Sequence, residues 1–555
     1  MELKADLLLR GDYIDVYTGE ILHGEVAIKG ERILCVGERV EAREEVSVGG
    51  VIVPGLKDGH IHIESSKLTP AEFARVVVPR GTTSVFADPH EIVNVAGKDG
   101  FLYMMEEARR VPLRTHLLVP SCVPASPLDE SPHELGPEEI SNLLDLEGVV
   151  GLAEVMNFPG VINVDKEVLK KIEEARKRGK PVDGHAPLVR GLDLCSYIYN
   201  GVESDHESTQ VEEALEKLRK GMYIMLREGT ASKDLWIIKG LNVQRRRVLL
   251  VSDDRSPTDL LREGHVDHLL RRAVEEGVDP VEAVQMVTIN VAERFGLTSL
   301  DGIAPGRLAD VVVLKDPRSF DAEMVFIGGR LVAKEGSPLF QAERVKKELG
   351  VMKLPPLKPN DLLIKAPGER AKVRVIELTG SLLTKEGEEW LPITEGTVRS
   401  SGDVLHLAVI ERHGRTGHIG VGFVRGLEFQ GAIASTVAHD SHNLVVAGSD
   451  PEDMVIASKE LERLGGGQTI VSGGEVLATL PLPVGGLMSD LEAEEVVKRE
   501  KMLKDAYKSL GGELEDPFMD LSFLALPVIP ELKLTPKGLV RVAEQEIVSP
   551  LLEVI

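Results

Sequence analysis

Four histidines, a glutamate and an aspartate stand where strand-like runs of this sequence end. His60 and His62 close VIVPGLKDGHIH, Glu154 closes GVVGLAE, His185 closes KPVDGH, His206 closes NGVESDH, and Asp253 closes RRVLLVSD. Side chains on a strand alternate faces, so His60 and His62 point the same way and can close on one divalent ion. Imidazole and carboxylate suit zinc, manganese and iron alike. Six such groups suffice for two ions with a bridging hydroxide, and ions so placed bring the pKa of bound water toward neutrality and make it a nucleophile. Singly, a His or Asp after a strand is more often a turn residue or a helix cap. Their coincidence is what points to metal-assisted hydrolysis.

Bringing these five strand ends to one rim requires strands that all run the same way. Apolar runs TTSVFAD, RTHLLVP, GVVGLAE, KPVDGH, NGVESDH, GMYIMLRE and RRVLLVSD alternate with helical stretches such as DKEVLKKIEEARKRG and TQVEEALEKLRKG. With the strand before His60 they make eight strand-then-helix units, the number that closes a (β/α)8 TIM-type barrel. An open doubly wound sheet is the alternative, but no G-x-G-x-x-G follows the first strand. The expected catalytic barrel spans 56–300. Gly-punctuated β-rich runs on either side, 1–55 and 301–345, read as two parts of one small β-sandwich-like domain. A Pro-rich stretch, 346–368, reads as a linker to a C-terminal α+β domain, 369–555. Within it GGGQTIVSGGE lacks the Lys-Ser/Thr of a P-loop and reads as tight turns. His439, Asp440, His442 and Asn443 form a dense polar cluster there, read as a closing loop or subunit contact before a third metal site.

Composition excludes other classes. The chain has 555 residues, 43% hydrophobic and 28% charged, as a folded multidomain protein does. A net charge of -25 argues against nucleic acid as partner, since phosphates call for clustered Lys and Arg. Cys35, Cys122 and Cys195 are too few and too scattered for a disulfide framework. The charged N-terminus is not a signal peptide, and no apolar run would cross a bilayer. A cytoplasmic protein is expected.

The set P-G-x-x-D-x-H-x-H, the single His after strands five and six, the Asp after strand eight and the tail TINVAERFGL…GIAPGRLADVVVL resemble the amidohydrolase superfamily over about residues 1–345. A glutamate where many binuclear members place a carboxylated lysine departs from the dihydroorotase and hydantoinase pattern. It is similar to N-acetylglucosamine-6-phosphate deacetylases and adenine deaminases. ADPHEIVNVAG, GLAEVMNFPGV, ESDHES, VSDDRSP and AHDSHNLVVAGSD favour the adenine deaminase family and extend the resemblance over nearly the whole chain. Deaminases built on H-x-E and P-C-x-x-C are a separate solution, and no Cys-x-x-Cys occurs here.

The resemblance implies hydrolytic deamination of adenine to hypoxanthine and ammonia, with manganese(II) or iron(II) before zinc, by a homo-oligomer, dimer or larger. His60, His62 and Asp253 would hold one metal, His185 and His206 the other, and Glu154 would bridge. Asp253 would move the proton of the attacking hydroxide toward the leaving amino group. Glu91 and His90 would protonate the ring nitrogen, with Asp88 orienting them or the purine and Asp254 and Glu207 as further rim groups. DPHE reads equally well as a helix cap followed by first-turn acids. Asp58 and Asp205, out of phase with the ligands, would orient imidazoles. Arg190, Arg227 and Arg255 near strand ends keep a deacetylase of phosphorylated amino sugars as the competing reading. An inactive barrel scaffold should have lost ligands, and all six are present.

Overall fold

The computed structural model describes residues 4–380 and 383–555. Its internal packing divides the chain into two units. The first holds Met1–Pro89, Tyr103–Ser121 and Gly136–Val345; the second holds His90–Leu102, Cys122–Leu135 and Lys346–Ile555.

In the first unit, eight parallel strands take the positions of the eight runs: β1 Leu56–Ile61, β2 Thr82–Ala87, β3 Arg114–Val119, β4 Val149–Val155, β5 Val182–Gly184, β6 Ser204–Asp205, β7 Tyr223–Arg227 and β8 Val248–Val251. Strands β1 to β5 form one sheet in chain order and β6 to β8 a second. The last strand reaches the first through a parallel bridge between Ile61 and Asp253. Every residue of β1, β2 and β8 is buried, as expected of parallel strands covered on both faces. One covering is an apolar layer in which Leu249 and Val251 pack with Val291 and Phe295. Gly59 lies on that face of β1, where a Cβ would stand 2.9 Å from Leu249 Cδ2. A side chain there would have to displace the end of Leu249.

Helices between strands carry their own start signals. Lys166–Lys177 is capped by Asp165, which accepts from the N–H of Glu167 and Val168, and it buries Ile172 and Ala175. Strands from both flanks share one eight-stranded sheet, in which Val311–Leu314 runs antiparallel to Glu41–Pro54. Gly50 permits this join, since a Cβ there would lie 1.8 Å from the Leu314 carbonyl oxygen.

The second unit is built on a ten-stranded sheet. Helix Pro451–Leu464 is capped by Asp450 and stopped by Gly465 at φ 78. The glycine-rich stretch forms a hairpin: Gly473 and Gly474, at φ 60 and 82, turn Gly467–Ser472 into Glu475–Pro481. The Pro-rich stretch read as a linker instead buries Leu354, Leu357 and Leu362 among Ala408, Leu444 and Met454. Its prolines mark extended chain, while its leucines decide burial. Among the described residues no helix is long and apolar enough to cross a membrane.

Beneath β6, Lys217 is fully buried, with Nζ 2.8 Å from Asp205 Oδ2 and 2.6 Å from Glu213 Oε1. Lys217→Met leaves two buried carboxylates without their cation. A loss of roughly 3–5 kcal/mol is expected, read as a lower denaturation midpoint with unchanged slope.

Candidate metal centre

Strand ends place the donors, and backbone bonds lock them. Asp253 N–H donates to the His60 carbonyl at 3.1 Å, and His62 N–H donates to the Asp253 carbonyl at 3.3 Å. Asp253 sits at φ 56, a left-handed conformation that Asp tolerates better than most residues. Asp58 accepts from the backbone N–H of Ser252 at 3.1 Å and of His60 at 3.3 Å, and from the Ser252 hydroxyl. Its carboxylate thus ties β1 to β8. Asp205 accepts from Ala186 N–H at 2.9 Å, beside His185. Asp58 also stands 2.9 Å from Nε2 of the buried His265, and Asp205 2.8 Å from Lys217 Nζ; being out of phase with the six donors puts both carboxylates on the neighbouring chain.

The six donors converge in the first unit. Asp253 Oδ1 stands 3.4 Å from Nε2 of both His60 and His62. Glu154 turns Oε1 toward His62 Nε2 at 3.3 Å, and Oε2 toward His206 Nε2 at 3.2 Å and His185 Nδ1 at 2.9 Å. His60 and His206 rings stack at 4.2 Å. All are buried except His185, which is partly so.

His62 Nδ1 lies 3.0 Å from the Asp88 carbonyl oxygen, an acceptor, so Nδ1 carries the hydrogen. In the neutral ring, Nε2 then presents a lone pair to two carboxylate oxygens. Acceptor facing acceptor in a buried space requires a cation between them, a proton or a metal. His60 Nε2 is buried without a hydrogen bond. Separations of 3.2–3.4 Å exceed a good N–H···O bond and match donors about 2.1 Å from a shared ion. The donor set is that of a divalent metal site.

Without an ion, protons do that work. Burial lowers the affinity of His62 for a proton, but Asp253 and Glu154 outweigh it and raise its pKa well above the ordinary value. Burial likewise raises Glu154, yet His206, His185 and His62 hold it well below the usual carboxylate range. Asp253 is depressed too, His60 and His62 overcoming its burial.

Other expected residues divide. Glu207 faces the second imidazole pair, its Oε1 3.4 Å from His206 Nε2 and 3.6 Å from His185 Nδ1. Asp254 accepts from the Ser65 hydroxyl. Asp88 meets His62 through its backbone carbonyl. His90 and Glu91 belong to the second unit, at the start of helix His90–Ala108. There Glu91 Oε1 is 2.6 Å from His439 Nδ1 and 3.4 Å from His90 Nε2, and Oε2 bonds His442 Nε2. Burial raises the Glu91 pKa, but His439, His442 and His90 outweigh it and keep the carboxyl well below its usual range.

Sequence reasoning missed Arg227 as a site residue. Buried at the end of β7, it pairs with Glu207, reaches Asp253 Oδ2 at 3.3 Å and Asp234 Oδ2 at 2.8 Å. A buried arginine closing the apolar run YIMLR was its only signal. The rim arginines weighed as phosphate ligands are occupied: Arg227 as above, Arg190 by Glu216 at 2.9 Å and Arg255 by Glu263 at 2.6 Å.

Residues 51–332 match the family model described as Amidohydrolase family, and residues 381–546 match that of an adenine deaminase C-terminal domain. The adenine deaminase of Archaeoglobus fulgidus is 46% identical over 549 residues, 98% of this chain and 95% of that protein. Adenine deaminase 2 of Carboxydothermus hydrogenoformans is 44% identical over 98% of this chain and 96% of its own. Among solved structures, N-acetyl-D-glucosamine-6-phosphate deacetylase from Mycobacterium smegmatis is similar at TM-score 0.44 and 19% identity, over 59% of this chain and 99% of that one.

An ion that binds the folded donor set and not the unfolded chain raises stability by about 4 kcal/mol at a thousand times its dissociation constant. Chelated protein should therefore melt at a higher temperature once manganese(II) is added. His62→Ala should abolish most of that rise, as followed by thermal unfolding.

Proposed function

The chain belongs to the amidohydrolase family, among the adenine deaminases, and from that membership and its donor set we propose that it hydrolyses adenine to hypoxanthine and ammonia. The carrying observation is that 44–46% identity to adenine deaminases runs over 98% of the chain, C-terminal region included.

In this reading the two parallel sheets are halves of one closed (β/α)8 barrel, and the donors hold two divalent ions, manganese(II) or iron(II). His60, His62 and Asp253 would hold one and His185 and His206 the other, and Glu154, whose two oxygens face the two imidazole pairs, would serve both. Bound there, the ions would supply a nucleophile at neutral pH by lowering the pKa of water.

The chain's own residues handle the protons. Asp253 accepts the proton of the attacking water and passes it to the amino group, which must leave as neutral ammonia. Arg227, 3.3 Å from Asp253 Oδ2, favours the ionised form between turnovers. His90 and Glu91, 3.4 Å apart, form an imidazole–carboxylate pair that brings a proton to the ring nitrogen as C6 becomes tetrahedral. Asp88, Asp254 and Glu207 offer acceptors to the purine's N–H groups. A neutral base needs no cationic subsite, and Arg190, Arg227 and Arg255 are each already paired with a carboxylate. Cys35, Cys122 and Cys195, in no disulfide among the described residues, accord with a reducing, cytoplasmic setting for the enzyme, which this reading takes as a homo-oligomer.

Ultraviolet absorbance following adenine into hypoxanthine tests the reading. Turnover should vanish on chelation and return with manganese(II), and N-acetylglucosamine 6-phosphate should not be cleaved. Asp253→Asn should lower kcat about 10²–10⁴-fold. Metal-replete, folded protein inert toward adenine would refute the substrate.

A further inference from the structure

The second unit contains a histidine pair that the proposed chemistry has not used. Loop 437–443 carries His439 and His442, both buried, and both bonded to one carboxylate, that of Glu91. Glu91 Oε1 takes His439 Nδ1–H at 2.6 Å, and Oε2 takes His442 Nε2–H.

Each imidazole is itself fixed. Ala438 N–H donates to His442 Nδ1 at 3.1 Å, so that nitrogen holds the lone pair and Nε2 carries the hydrogen. Burial pushes His442 down to about 4 despite the pull of Glu91, so the ring donates as neutral imidazole. The carbonyl of His442 accepts from Arg412 Nε, and Arg412 is anchored to the Gly485 carbonyl at 2.8 Å. The His439 ring stacks on Phe523, centroids 5.0 Å apart. His442 holds φ 52, a conformation costly for a residue with a Cβ. Three buried histidines face Glu91: His90, His439 and His442.

Glu91, His439 and His442 also lie close enough to share an ion, but their spacing favours direct contact. Its shortest contacts, 2.6 Å and the closer His442 bond, are direct hydrogen bonds, whereas most donors of the first unit stand 3.2–3.4 Å apart. Both oxygens of Glu91 are satisfied without an ion.

We infer that His439 and His442 are positioning residues: they fix the Glu91 carboxylate, with its rotamer and acceptor direction, for its partnership with His90 in proton delivery to the purine ring. This rests on the role given to Glu91 above. It assigns the C-terminal region a part in the reaction through Glu91, three residues beyond Asp88 in the chain.

The test uses full-length, manganese-replete protein and steady-state adenine turnover. His442→Ala should lower kcat roughly 10–100-fold, the usual cost of removing a group that orients a functional one, with KM little changed and the same metal content per chain. His442→Gln, whose amide N–H can replace Nε2–H, should restore most of the loss. Because His442 acts only through Glu91, the double variant Glu91→Gln/His442→Ala should be no slower than Glu91→Gln alone. Multiplying losses in the double variant would overturn the inference, as would loss of metal from His442→Ala. Full activity of both His439→Ala and His442→Ala beside an impaired Glu91→Gln would overturn it and leave the role of Glu91 standing. An unimpaired Glu91→Gln would remove that role and the inference together. Should His442→Ala not fold, His439→Ala takes its place in the cycle, with His439→Asn as the conservative rescue.

Discussion

A single carboxylate sets the terms of the first unit. Glu154 is buried and turns one oxygen to His62 and the other to His185 and His206, while Asp253 faces His60 and His62. Lone pairs brought together at that depth repel, and desolvating a carboxylate costs several kcal/mol, on the order of what a buried pair can return. The arrangement is stable only with positive charge inside it. Protons can supply it: the neighbouring carboxylates raise the His62 pKa and the imidazoles depress that of Glu154. Divalent ions satisfy it better, because each accepts several lone pairs at once.

The surrounding structure serves this requirement through buried groups that hold backbone. Asp58 joins the first and last parallel strands by accepting from both. Asp205, 2.8 Å from Lys217 Nζ, holds the amide after His185. Arg227 offsets the surplus of carboxylate by pairing Glu207, Asp234 and Asp253 at once. Its planar guanidinium, with five N–H donors in a fixed fork, suits it to several carboxylates at once.

The strands and the donors at their ends were legible because a parallel strand buried on both faces leaves a nearly continuous apolar run. A histidine or acid at its end is then conspicuous. β6 has only two residues, yet His206 was found from NGVESDH, since the ligand marks the strand's end more clearly than its length does. Arg227 was misjudged because an arginine at a strand end looks the same whether it awaits phosphate or is already held by three carboxylates. Leu354, Leu357 and Leu362 were passed over because prolines set the texture of their neighbourhood. The bonds of His439 and His442 to Glu91 span 348 and 351 positions, and no local periodicity can report a contact at that range.

That separation bears on what the C-terminal region is. It does not begin at residue 346, because two earlier segments, His90–Leu102 and Cys122–Leu135, fold with it. Ser131 bonds the Asn94 carbonyl at 2.9 Å, joining the two early segments. Asn443 reaches the Glu130 carbonyl at 2.8 Å, His418 the Glu130 carboxylate at 2.7 Å, and Thr535 the Leu128 carbonyl at 2.9 Å. The chain after β2 and after β3 therefore takes its hydrogen-bond partners from residues three to four hundred positions later. A domain added only for assembly could spare those partners. One whose core includes the segments following two strands of the catalytic unit is folded into the same chain path, and its removal would leave Glu91 without either of the imidazoles that hold it.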